Sequence, residues 1–273
     1  ATLGVAYGEG RFQLEDAVAQ YYPPFAAHPQ VRLEHLLHWA SGLAWQEDYE
    51  YAPLQSSVVA MLYTRGRGDM AAFTAGHGLE AVPGQRFRYS SGDSTVLAAA
   101  LRGMVGEQAY PNYPWSALFE PLGICSAVWE RDASGTFVGS SYGYMSARDL
   151  ARVGLLMLRD GRWGERQLLP KDWVAFNRTP FAHYQPSAAE VQPGDAVPGG
   201  HWWLNLRVAG APKPWADAPE DAFAALGHWG QALYVLPSAK LVIVRYADDR
   251  DPSYRHNEFL KRALAAFAAQ ERP

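Results

Sequence analysis

Two short stretches hold the residue types best suited to moving acyl groups. The first is Arg88-Tyr89-Ser90-Ser91-Gly92-Asp93. Tyr89 follows the turn Pro83-Gly84 and an extended piece, and precedes a helix that Asp93 is placed to cap. A tyrosine at such a junction can point its hydroxyl into a cleft, and beside a cation a phenol can act as a general base. Equally, it can be a half-buried tyrosine with a satisfied hydroxyl. The second stretch is Gly227-His228-Trp229-Gly230-Gln231, between two strand-like runs. Gly230 would let a substrate approach the backbone, and the Gln231 amide could face a developing oxyanion. A strand-end histidine beside a turn glycine is the plainer alternative.

Other motifs are weaker. Gly139-Ser140-Ser141-Tyr142-Gly143 has the G-x-S-x-G spacing of a nucleophile elbow. An elbow needs a strand, a sharp turn and an immediate helix, and here the helix starts only near Ala147. His35 and His38 share a helix face without a clear third metal ligand. Trp202-Trp203 suits a core or a cleft wall. Gln46-Glu47-Asp48-Tyr49-Glu50-Tyr51 is an acidic, aromatic loop, either a solvated turn or a lid. Of the four lysines (Lys171, Lys213, Lys240, Lys261), none has a serine three residues before it.

The elements that must position these residues change character along the chain. Helices are expected over Gln13–Tyr22, Val31–Ala40, Pro53–Tyr63, Asp69–Ala75, Ser94–Val105 and Pro170–Asn177. Ser146 caps the clearest, 147–159, where Leu150, Val153, Gly154 and Met157 follow helical spacing. His183–Gly200 reads as a long loop. Strands follow at Trp202–Val208, Ala222–His228, Ala232–Leu236 and Leu241–Tyr246, the last two joined by a turn at 237–240, and a terminal helix at His256–Gln270. This order implies an α+β fold. Ala1–Gly8 reads as the tail of a helix, so further strands are expected upstream.

Bulk properties narrow the function. The 273 residues are 48% hydrophobic and 13% aromatic, a packed globular composition. A net charge of −4 leaves no basic footprint for nucleic acid. No run approaches the roughly 18 apolar residues of a membrane helix. The single Cys125 excludes internal disulfides, and no signal peptide is visible, so compartment and oligomeric state stay unread.

Together the motifs resemble the β-lactamase and penicillin-binding-protein family of class C type, most closely its 6-aminohexanoate-oligomer hydrolase and esterase branch. Leu36-Leu37-His38-Trp39-Ala40-Ser41-Gly42-Leu43 is similar to the family's L-L-x-H-T-S-G-L, with Trp39 where His usually stands. Trp45-Gln46-Glu47-Asp48-Tyr49 resembles the branch's aromatic-N-E-D-Y loop. Tyr89-Ser90-Ser91 sits at Y-x-N with Ser91 for Asn, and 146–154 nearly matches T-A-R-D-L-A-R-V-G. The resemblance implies one domain over 1–273: an antiparallel sheet flanked by helices, with a helical lobe over about 20–180 and an α/β lobe from 1–19 and 200–273. It places the Ser-x-x-Lys segment, and two strands, just before Ala1, so that the chain as given would be inactive. It also implies an acyl-enzyme reaction on an ester or amide, without cofactor or metal. Tyr89 and Gln231 would be catalytic, the latter through its N–H. His228, Gly230, Ser91, Trp45 and Tyr49 would bind substrate, with Trp45 and Tyr49 closing over the acyl chain and His228 tuning Tyr89. A non-catalytic ligand-binding relative is one alternative. A hydrolase built on Ser141, His228 and Asp195 or Asp221 is another.

Overall fold

The structure is a computed structural model, and it describes residues 1–187, 189–192, 194–251 and 253–270. Its helices are α1 (Thr2–Gly8), α2 (Val18–Tyr21), α3 (Leu33–Leu37), α4 (Ser57–Tyr63), α5 (Met70–Ala75), α6 (Ser91–Val105), α7 (Ala147–Leu158), α8 (Lys171–Asn177) and α9 (His256–Gln270). Two small hairpins pair β1 (Val128–Trp129) with β2 (Gly143–Tyr144), and β3 (Arg162–Trp163) with β4 (Arg166–Gln167). The main sheet runs in the order β5 (Val197–Pro198), β6 (Trp203–Leu204), β7 (Phe223–Gly227), β8 (Gln231–Leu236) and β9 (Leu241–Arg245), antiparallel throughout.

Alternation along β8 explains the layering. Leu233 and Val235 join the large core shared with α3, α6 and α8. Ala232, Tyr234 and Leu236 point the other way, to Trp215 and to Leu260 of α9. The sheet is therefore covered on both faces. α7 lies on the first face at a glycine: a Cβ on Gly154 would sit 2.6 Å from Val242 and 2.7 Å from Leu233. The helix can approach the strands only because that side chain is missing.

Several boundaries differ from expectation. α6 begins earlier, and its cap is Ser90, whose hydroxyl accepts the Asp93 N–H at 3.0 Å. Asp93 lies inside the helix, fully buried, and accepts the Ser41 hydroxyl at 2.7 Å. α3 keeps only the middle of the expected 31–40 helix, and the strand expected over 202–208 holds order only at 203–204. Asn205 ends it by turning its side chain into the next loop, accepting the Trp215 N–H at 2.8 Å and donating to Trp215 O at 3.0 Å. The expected long loop contains β5, an edge strand on which Pro198 is tolerated. The cap at Ser146 is as expected, with its hydroxyl accepting the Asp149 N–H.

Candidate active site

Tyr89 stands one residue before the Ser90 cap, where the extended approach turns into α6. Its ring packs against a pair of tryptophans, 5.0 Å from Trp39 and 5.8 Å from Trp203 between ring centres. Trp39 organises this wall. It is 4% exposed, holds a left-handed backbone at φ 52°, and stacks on His201 at 4.4 Å and on Trp203 at 5.3 Å. Its indole N–H is buried without a hydrogen-bond partner among the described residues. β6 and the segment after α3 thus meet in one aromatic cluster, against which Tyr89 packs.

Burial pushes the Tyr89 hydroxyl up to about 12, and the Glu47 carboxylate adds to the rise. The phenol is a proton donor at neutral pH. The neighbouring Arg88 guanidinium does not offset this. It is committed to Glu80 at 2.5 Å and to the Trp45 carbonyl at 2.9 Å.

Glu47 is the hub of the loop that faces this wall. Its carboxylate accepts the Ser91 hydroxyl at 2.5 Å, the Ser91 N–H at 2.9 Å, the Trp45 indole at 2.5 Å and, weakly, the Tyr49 hydroxyl at 3.5 Å. Burial raises its pKa, and the Ser91 and Trp45 hydrogen bonds oppose the rise. Tyr49 in turn lies 4.8 Å from the His228 ring, and Glu50 comes within 3.4 Å of His228 Nε2. Ser91, Glu47, Tyr49 and His228 are therefore linked in a chain of contacts, and Tyr89 is near enough for the Glu47 charge to act on it. Among the described residues no hydrogen bond or ring contact joins His228 to Tyr89.

Two other expected roles change, those of Trp45 and Gly230. Trp45 is 1% exposed and packs among Val58, Met61 and Val138, so it anchors the loop and cannot close over an acyl chain. The Gln231 side-chain amide is held by the Ala247 backbone through both its ends, which leaves only the main-chain N–H for an oxyanion. At Gly230, φ is 82° and a Cβ would meet Asp249 Oδ2 at 2.1 Å and Arg245 Nη1 at 2.5 Å. That glycine accommodates a protein ion pair, not an approaching substrate. Arg245 also donates to Gly230 O at 2.8 Å, so the turn is braced from behind.

The Gly139–Gly143 motif is a turn leading into β2, with no helix following the serine. No hydrogen bond joins Ser141 to His228 among the described residues. Asp195 accepts the Gln192 N–H, and Asp221 accepts from Ser238. His35 accepts the Arg32 N–H, and His38 is bonded to Gly199 O between the rings of Phe176 and Phe181. Among the described residues no cluster of three or more His, Cys, Asp or Glu is placed to hold a metal, and no helix is long and apolar enough to cross a membrane. Glu47 and His201 were not singled out from sequence. The only sequence signals were a carboxylate inside an aromatic loop and a histidine between a glycine pair and a tryptophan pair.

An antiparallel β-sheet with helices on both faces is the architecture of the β-lactamase and transpeptidase fold. The chain belongs to the β-lactamase family, whose model matches residues 1–267 and whose members are generally serine hydrolases. It is similar in structure to a protein assigned as a 6-aminohexanoate-dimer hydrolase from Bacillus anthracis, at 21% identity and a TM-score of 0.73, covering 99% of this chain and 72% of that one. EstCE1, a hydrolase with promiscuous acyltransferase activity, matches at 17% identity and a TM-score of 0.69, covering 97% and 81%. In sequence it is 26% identical over 129 residues to a protein assigned as a D-alanyl-D-alanine carboxypeptidase of Escherichia coli (strain K12). That match covers 44% of this chain and spans 29% of the relative's length.

Proposed function

We propose that the protein hydrolyses an ester or a linear amide through a serine acyl-enzyme. The observation that carries this reading is the Tyr89 phenol set in the wall of Trp39 and Trp203 at the head of α6. The aromatic surface suits an apolar acyl chain, and Ser91 offers no amide to grip a peptide. In this reading the acylated serine comes from a Ser-x-x-Lys outside residues 1–273. The lysine beside Tyr89 would lower a phenol that burial otherwise holds protonated, so that the pair moves the proton. The serine's own N–H and the Gln231 N–H would hold the oxyanion, and water would release the acid.

The test uses the protein with its upstream residues, short p-nitrophenyl esters and linear aminohexanoate amides. Tyr89→Phe is expected to lower kcat/KM at least ~10-fold, a loss of about 1.4 kcal/mol in transition-state binding. A smaller loss removes Tyr89 from the proton path.

A further inference from the structure

A second pocket lies between α4, α5 and the segment after β1. We propose that it binds an organic carboxylate, with Arg67 and Arg131 taking the carboxyl group and Leu62, Met70 and Val138 bearing its apolar body. The cavity is about 390 Å³, the size of a small-molecule site. No residue before Leu62 shares in its lining, so neither α1 nor the start of the chain bounds it. Tyr89, Ser91, Tyr49 and His228 do not line it either, so the proposal stands apart from the Tyr89 reading.

Its walls are built and held. α4 brings Leu62, the turn after it brings Arg67, and Met70 opens α5. The facing segment folds back on itself: Arg131 is bridged to Phe137, and the Val138 N–H donates to Glu130 O at 3.0 Å. Asp132 clamps the two sides together. Its carboxylate accepts the Met70 N–H at 2.9 Å from one side. From the other it accepts the Ser134 hydroxyl at 2.6 Å, the Ser134 N–H at 3.0 Å and the Thr136 N–H at 3.1 Å. Leu62, Met70 and Val138 are buried members of one apolar cluster, so the floor exists before any ligand arrives. A preformed site spends less of its binding energy on ordering.

The donors left over set the ligand's charge. Among the described residues the Arg67 side chain makes no hydrogen bond or ion pair, and Arg131 makes none beyond lying over the Phe137 ring at 5.2 Å. The acids in the lining are already engaged. Asp132 is shared among its backbone and hydroxyl donors, and Glu130 is met by the Tyr144 phenol, which burial and then the Glu130 charge and hydrogen bond keep protonated. Burial, followed by Tyr63, likewise keeps the lining Tyr142 hydroxyl a donor. A guanidinium presents its N–H groups in a fixed fork that matches a carboxylate. Two such forks beside an apolar floor select a molecule with an anionic head and an apolar body. An inorganic anion would leave the floor uncovered, and a neutral molecule would leave the forks unpaired.

The experiment uses the protein with its upstream residues and isothermal titration calorimetry with phenylbutyrate as the probe. Binding is expected at least ~10-fold tighter than for phenylbutyramide or for inorganic phosphate. Arg67→Ala and Arg131→Ala should each weaken phenylbutyrate binding at least ~10-fold, the loss of a hydrogen-bonded charge. Both side chains are exposed, so the variants should keep the wild-type circular dichroism spectrum and the wild-type kcat/KM on p-nitrophenyl esters. Arg67→Lys, which keeps the charge and loses the fork, should fall between wild type and Arg67→Ala. No binding of phenylbutyrate at millimolar concentration, undiminished binding by either folded alanine variant, or equal binding of the amide or of phosphate overturns the proposal. A failure here leaves the Tyr89 reading untouched, since that reading uses neither arginine.

Discussion

A partly buried carboxylate that accepts four donors is costly to replace, because each donor it leaves behind has lost part of its water. Glu47 is such a group, and the loop of Trp45, Tyr49 and the Ser91 end of α6 depends on it. Glu47→Gln keeps the shape but offers an N–H₂ where two of those donors point. The expected outcome is a loss of ~1–3 kcal/mol in unfolding free energy by urea denaturation, with earlier proteolytic cutting near Tyr51. An unchanged midpoint and unchanged cutting would mean that the loop is held by packing alone. Tyr89 illustrates the same dependence on neighbours. Its environment, and not its identity, decides whether it donates or accepts a proton, and the described residues set it to donate.

The β-sheet and α7 show how an element's position can rest on one missing side chain. Gly154→Val would drive two methyl groups into Val242 and Leu233. Overpacking of this kind costs ~1–3 kcal/mol, read as a lowered urea midpoint with an unchanged m value. Helical spacing placed Gly154 on the inward face of α7 but could not show how close the strands come. The same limit runs through the rest of the chain. The periodic, capped 147–158 helix and the apolar strands β7, β8 and β9 were legible, because period and caps are local signals. β6 was read too long, since its length is set by Asn205 bonding to Trp215. Ser90 displaced Asp93 as a cap because Asp93 is claimed by Ser41, 52 residues away. In the site, Tyr89 and His228 were legible from motifs. The meeting of Trp39, Tyr89 and Trp203 was not, since it joins three distant segments with no spacing rule between them.

For the whole molecule, Asp93 links stability to pH. Burial raises its carboxyl to about 7 from 3.8, against the opposing hydrogen bonds from Ser41. Between those values the folded chain holds a proton that the unfolded chain has released, so this group's contribution to stability falls as pH rises through the window. The full effect, above pH 7, is on the order of 4 kcal/mol. Asp93→Asn should therefore gain on the wild type as pH rises. Urea unfolding at pH 4.5 and 7.5 checks this, and a constant difference between the two proteins at both values refutes it.

The contacts that hold the aromatic cluster together have a further consequence, for ionic strength. Trp39 meets Tyr89, His201 and Trp203 through ring faces, and His201 and His38 bond to main-chain carbonyls. Burial lowers His201 to about 4, and with that ring neutral the seam offers dissolved ions little charge to screen. At the Glu50 loop the position is reversed. Glu50 and His228 face each other at 3.4 Å, both substantially exposed, and attract only when the imidazole is protonated. Salt, with a screening length of ~8 Å at physiological concentration, acts on that pair and leaves the aromatic cluster alone. The medium can thus loosen the Glu50 loop from His228 without disturbing the aromatic surface.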